Sequence, residues 1–211
     1  MENYKKYKER NNLFFDNLLA QTGDDHTSVG WSKTSHQKRM KKIMEIGDLE
    51  NKKLLDIGCG VGSFLSFCNF NNINIDYHGF DVNEKMLKAA RTRFPSLAGR
   101  FRKIDIIEEE SDEVFDFCIS IGSLNLNLDA RTNYSMTFKM LDCMFKYSKL
   151  GIAFSMTSSF SKRKNTNTFY YDPNKIIKHI SKYCNNFKLD HSYLPHDFVI
   201  FCYKNDFYSN E

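Results

Sequence analysis

Apolar residues recur along this chain first at helical spacing and then in short strand-length runs. Asn3 to Gln21 reads as a charged helix with an apolar patch at Leu13, Phe14, Phe15, Leu18 and Leu19. Thr34 to Ile46 reads as a second helix, marked by Met40, Ile43, Met44 and Ile46 and ended by Gly47. From Lys53 the rhythm becomes strand, turn, helix, strand. Leu54, Leu55 and Ile57 form a short buried strand, Gly58 to Gly62 a turn, and Phe64, Leu65 and Phe67 the start of a helix. A second strand covers Asp76 to Phe80, and a helix runs from Glu84 to Arg93. Phe101 to Ile104 is a third strand, and Phe115 to Ile121 a fourth, apolar on both faces as a central parallel strand should be. Asn133 to Tyr147 carries a helical stripe of Met136, Met140, Leu141 and Met144, and Ile152 to Met156 is a fifth strand. Asp172-Pro173 opens a helix to about Tyr183, with Asp as N-cap and Pro at the first helical position. Phe187 to Tyr193 and Phe198 to Tyr203 are strands joined by Leu194-Pro195-His196, a link short enough to require an antiparallel pair.

Strands alternating with helices predict an α/β fold: a mostly parallel seven-stranded sheet, helices on both faces and an antiparallel C-terminal hairpin. At 211 residues the chain suits one domain. The reading is a helical cap over residues 1–50 on a Rossmann-like core over residues 51–211. Six cysteines without C-x-x-C spacing argue against a zinc site or a disulfide framework, so no metal and a reduced, cytoplasmic setting are expected. The first ten residues are charged and lack an apolar core, so no secretory leader is expected, and no apolar run approaches the ~20 residues of a membrane span. A net charge of +4 permits an anionic partner without requiring nucleic acid.

The chemistry concentrates at Leu54-Leu55-Asp56-Ile57-Gly58-Cys59-Gly60-Val61-Gly62-Ser63, a buried strand entering a turn with glycines at alternate positions. Bare backbone lets a ligand approach closely, and the C-terminal edge of such a strand is where open α/β sheets bind nucleotides. A dinucleotide fingerprint would need glycine at 63, where Ser63 stands. Three further landmarks lie at successive strand ends: Asp81 after Tyr77-His78-Gly79-Phe80, Asp105 in Ile104-Asp105-Ile106, and Ser120 near the end of the fourth strand.

In this order the landmarks resemble the class I S-adenosylmethionine-dependent methyltransferases, and Gly30-Trp31-Ser32-Lys33 through Gln37 and Arg39, Glu45-Ile46-Gly47-Asp48-Leu49 and the tail with Phe169-Tyr170-Tyr171-Asp172-Pro173 look like a subgroup of small bacterial members. The resemblance implies that Gly58, Cys59, Gly60 and Gly62, with Asp56, cradle the methionine part of the cofactor. It implies that Asp81, followed by Val82, holds the ribose hydroxyls, that Asp105 and Ile106 meet the adenine, and that Ser120 ends near the reacting methyl. Upstream of the first strand it implies cofactor contacts from Trp31, Gln37 and Arg39, an Arg suiting a carboxylate by its bidentate fork. Asp56, Asp81 and Asp105 are alternatively turn or cap residues, and Arg39 alternatively belongs to a solvated face with Lys38, Lys41 and Lys42.

For the acceptor side, His191 and His196 are the candidate bases and Tyr171 a candidate pocket residue, with the basic run Ser161-Lys162-Arg163-Lys164 able to meet a phosphate. Each histidine also reads simply as a surface or turn residue. The stretch Ser120-Ile121-Gly122-Ser123 lacks the Asn/Asp-Pro-Pro-aromatic motif of amide and adenine methylases. The expected acceptor is a small molecule carrying an O or N nucleophile, such as a sugar or phosphorylated precursor of a surface glycan. The competing readings are an RNA or protein methyltransferase and a non-catalytic S-adenosylmethionine-binding protein.

Overall fold

The computed structural model describes residues 2–23 and 32–204. Six helices and seven strands follow one another as α1 (Glu2–Thr22), α2 (Lys33–Ile43), β1 (Lys53–Ile57), α3 (Ser63–Phe70), β2 (Asp76–Asp81), α4 (Glu84–Arg93), β3 (Phe101–Lys103), β4 (Phe115–Ile121), α5 (Ala130–Tyr147), β5 (Ser148–Thr157), α6 (Pro173–Ile180), β6 (Phe187–Leu194) and β7 (Asp197–Tyr203). They form one sheet in the order β3-β2-β1-β4-β5-β7-β6. The pairs β1–β2, β1–β4, β2–β3 and β4–β5 are parallel, while β7 runs antiparallel to both β5 and β6.

The alternation of strand residues builds two cores. Leu55, Ile57, Cys118, Ile152, Phe154, Phe198 and Ile200 point to the face covered by α5 and α6. Leu54, Phe117, Ile119, Ala153, Val199 and Phe201 point to the face covered by α2, α3 and α4. This two-sided burial explains why β4 and β5 carry near-continuous apolar runs. Strand order reverses between β1 and β4, so the crevice beyond their C-terminal ends is the topological switch point of the sheet.

Several expected boundaries move. Helix α5 starts at Ala130, because the Asp129 carboxylate accepts the Thr132 N–H at 2.9 Å as its cap. Helix α2 ends at Ile43 and tightens into a 3-10 turn over Met44–Ile46. Strand β5 is longer than its apolar centre, since Ser148 and Thr157 continue its ladders with β4 and β7. A 3-10 segment over Pro95–Arg100, not expected from the sequence, precedes β3. In α1 the apolar patch is not the buried side: Leu13 and Phe14 are exposed, while Tyr7 and Asn11 are buried. Helix α1 lies across the C-terminal edge of the sheet, touching α4 at one end and α5 at the other.

Candidate active site

The β1–α3 turn is built around backbone that only glycine tolerates well. Gly58 has φ +75°, and a Cβ there would come within 2.4 Å of the Ser123 Cβ. Its N–H donates to the Phe80 carbonyl at 2.8 Å, closing the turn onto the end of β2. The Gly60 N–H donates to Asp81 Oδ2 at 2.8 Å, and the Asn83 N–H to Asp81 Oδ1 at 2.9 Å. Each carboxylate oxygen keeps further acceptor capacity, so the group is oriented by backbone and still able to take two hydroxyl donors. Burial raises the Asp81 pKa, while the backbone donors at Asn83, Gly60 and Val82 oppose that shift.

Beyond these strand ends lies a cavity that opens to solvent. Its sheet-side wall carries Gly58, Gly60, Asp81, Val82, Asp105 and Ile106, together with Ser123 from the loop after β4. A bare-backbone turn, an oriented acid and a mainly apolar slot fit an adenosyl-type ligand.

Other anticipated residues sit elsewhere. Asp56 is buried on the α2–α4 face, where it accepts the Tyr77 hydroxyl at 2.8 Å, and burial pushes its pKa up to about 7. The Cys59 side chain is buried in the same core beneath Gly79. Gly62 caps α3 in a left-handed conformation, and a Cβ there would meet Phe94 at 2.8 Å; its role is packing. Ser120 stands one layer behind the cavity, bonding the Ile57 carbonyl at 3.1 Å and the Ser123 hydroxyl at 2.5 Å.

The upstream contacts are corrected more sharply. Arg39 is fully buried and gives Nε and Nη2 to Asp197 Oδ2 at 3.0 and 2.7 Å. Asp197 also accepts the Tyr193 hydroxyl. Arg39 thus clamps α2 to β7 instead of facing the cavity. Gln37 is exposed and does not line the cavity. Trp31 lies outside the described residues.

On the acceptor side, Tyr171 is fully buried, donating to the Leu124 carbonyl at 2.7 Å and accepting from Thr137 at 3.0 Å. It is a fastener between the loops after β4 and β5, and burial raises its pKa. His191 stacks on Phe198 and faces Phe160, and His196 occupies the β6–β7 turn. Neither ring lines the cavity. Burial lowers the His196 pKa, and the nearby Arg39 guanidinium lowers it further.

The residues missed by sequence reasoning come from α1: Tyr4, Tyr7, Lys8, Asn11 and Phe15 form the wall facing the sheet edge. Their spacing is helical, a signal hidden because the stripe mixes aromatic, charged and amide side chains.

Residues 55–141 match the family model described as a methyltransferase domain. A Mycobacterium tuberculosis protein named as a candidate methyltransferase is 27% identical over 150 residues, covering 69% of this chain and 89% of that protein. Among solved structures, the N-methyltransferase NodS from Bradyrhizobium japonicum, in complex with S-adenosylhomocysteine, is similar at TM-score 0.65 and 15% identity, covering 92% of this chain and 99% of that one. A SAM-dependent methyltransferase from Archaeoglobus fulgidus is similar at TM-score 0.62 and 18% identity, covering 82% and 95%. Sheet order and glycine turn together give this chain the Rossmann-like fold of the class I methyltransferases, and residues 55–141 within it match the methyltransferase domain model.

Proposed function

We propose that this chain transfers a methyl group from S-adenosylmethionine to an O or N atom of a small molecule. The observation carrying the cofactor half is Asp81, fixed by two backbone donors at the rim of the glycine turn and open to two more. The bound cofactor supplies a sulfonium-activated methyl. The protein's part is to hold the nucleophile close and in line with it, and to accept a proton from a hydroxyl or ammonium nucleophile. In this reading Gly58 and Gly60 give close approach, Asp81 grips the ribose, and Asp105 with Ile106 frames the adenine. The N-terminal helices act as a cap on the core.

Two observations support a small acceptor. The loop after β4 is tied to the loop after β5 by Asn127 N–H to Asn167 O and Phe169 N–H to Asn125 O, both at 2.8 Å, and by the Leu126–Thr168 bridge. Ties of this kind hold the two loops together beside the strand ends, which suits a small acceptor. Lys162, Arg163 and Lys164 stand exposed on that second loop, which suits an anionic acceptor such as a sugar phosphate. His191 and His196 lie outside the cofactor cavity and are the proposed bases for an acceptor bound on the side of the β6–β7 hairpin.

The test is methyl transfer from labelled S-adenosylmethionine to a panel of sugars, sugar phosphates and small amines, alongside an RNA and a protein pool. Label in a small molecule supports the reading; label only in RNA or protein overturns it. With an acceptor in hand, full turnover in both His191→Ala and His196→Ala removes histidine from the mechanism.

A further inference from the structure

Helix α1 makes more polar contacts with the cavity rim than a simple cover needs. Tyr4 Oη donates to Asp105 Oδ1 at 2.7 Å, and Lys8 Nζ sits 2.8 Å from Asp105 Oδ2. The Ile107 N–H also reaches Asp105 Oδ1, at 3.1 Å. These donors fix the rotation of the carboxylate and leave Oδ2 acceptor capacity for one more partner. A turn or two further on, Asp16 takes the Asn83 amide at 3.0 Å and the Lys85 ammonium at 2.8 Å. Between these anchors Asn11 lines the cavity, only 7% exposed, and its Oδ1 has no hydrogen-bond partner. A buried amide carbonyl left unpaired costs about 1–3 kcal/mol, so its persistence at a cavity wall points to a ligand donor.

Position along α1 narrows which donor. Tyr4 marks the Asp105 end, and Asn12 and Asp16 mark the Asn83 end, two residues beyond Asp81. Asn11 thus stands across the cavity from the stretch between the adenine and ribose acids, away from any amino-acid tail.

We propose that α1 is a working wall of the cofactor site: Asn11 Oδ1 accepts a hydrogen bond from the nucleoside part of the cofactor, and Tyr4 and Lys8 are positioning residues that aim Asp105 at the adenine amino group. The proposal rests on the S-adenosylmethionine reading above and adds residues that neither the glycine turn nor the strand ends supply. With α1 seated, the nucleoside is walled on the side opposite the sheet.

Calorimetry on the full-length protein with S-adenosylhomocysteine and with 5′-methylthioadenosine, which keeps the nucleoside and lacks the amino acid, tests the first half. Asn11→Ala weakens both ligands by a similar factor, about tenfold. An unchanged affinity, or a loss confined to S-adenosylhomocysteine, overturns the Asn11 assignment. The second half is read with S-inosylhomocysteine, whose exocyclic 6-oxo group replaces the amino donor. The Tyr4→Phe/Lys8→Met variant loses at least threefold of the wild-type preference for S-adenosylhomocysteine over this analogue. A uniform weakening of both, as a merely structural role would give, overturns the positioning role. Failure of the wild-type protein to bind S-adenosylhomocysteine at all would instead overturn the underlying cofactor reading.

Discussion

Asp81 offers the sharpest prediction, because its two oxygens have separate backbone duties. In Asp81→Asn the amide presents one oxygen and one NH2 group. Whichever way it turns, the NH2 faces either the Gly60 N–H or the Asn83 N–H, each of which now bonds a carboxylate oxygen at 2.8–2.9 Å. One backbone bond is lost, and one of the two ribose hydroxyls loses its acceptor. The other hydroxyl keeps an acceptor, but an uncharged one. Hydrogen bonds to charged groups contribute about 1.5–3 kcal/mol each. A loss near ~3 kcal/mol is therefore expected, roughly a hundredfold in Kd. The fold itself should not suffer equally. Burial already raises the pKa of this carboxyl, so removing the charge relieves a desolvation cost in the ligand-free protein. Calorimetric titration with S-adenosylhomocysteine, paired with a thermal melt of the ligand-free variant, separates the two effects. An affinity within threefold of wild type, in a variant that melts normally, would refute the ribose role of Asp81.

Gly58→Ala forces a Cβ to 2.4 Å from that of Ser123 on a left-handed backbone, so S-adenosylhomocysteine affinity falls at least tenfold; Gly58→Ala/Ser123→Gly recovers part of it, and no change in the single variant counts against the close-approach argument. Asp56 has its pKa lifted by burial to about 7, above its unfolded value, so its contribution to stability is full below about pH 4 and lost as pH rises through 7. Asp56→Asn keeps an acceptor for Tyr77 and should flatten that decline, raising stability in urea titrations at pH 8 more than at pH 5. Arg39→Met strands the Asp197 charge in the interior and should cost about 3–5 kcal/mol, whereas Arg39→Met/Asp197→Leu recovers most of it by the same measurement. Equal losses in the single and double variants would show that the pair is not coupled.

The parts legible in sequence are those where backbone geometry itself is the signal. Gly58 and Gly60 are required by a turn that only residues without Cβ accommodate, and Asp81 follows a short apolar strand whose end the pattern locates. The sheet could be read for the same reason, since two-sided burial leaves uninterrupted apolar runs in β4 and β5. Arg39 could not be placed because its partner lies 158 residues away in sequence, on a strand that no periodicity links to α2. Tyr171 likewise reads as a pocket residue, but its hydroxyl ties the loop after β4 to α5, through Leu124 and Thr137, 47 and 34 residues away in sequence. Asn11, Tyr4 and Lys8 went unread because polar residues on a charged helix look solvated unless the opposing surface is known.

The Arg39–Asp197 clamp also bears on how the molecule is assembled. As the chain is synthesised, α2 is made well before the start of β7, which brings the carboxylate that pairs with the Arg39 guanidinium. Until then, docking α2 lacks the stabilisation of that buried ion pair. Contacts of such sequence separation form late, after the cost of closing a very long loop has been met. The glycine turn can therefore be shaped while α2 waits on the β6–β7 hairpin to settle.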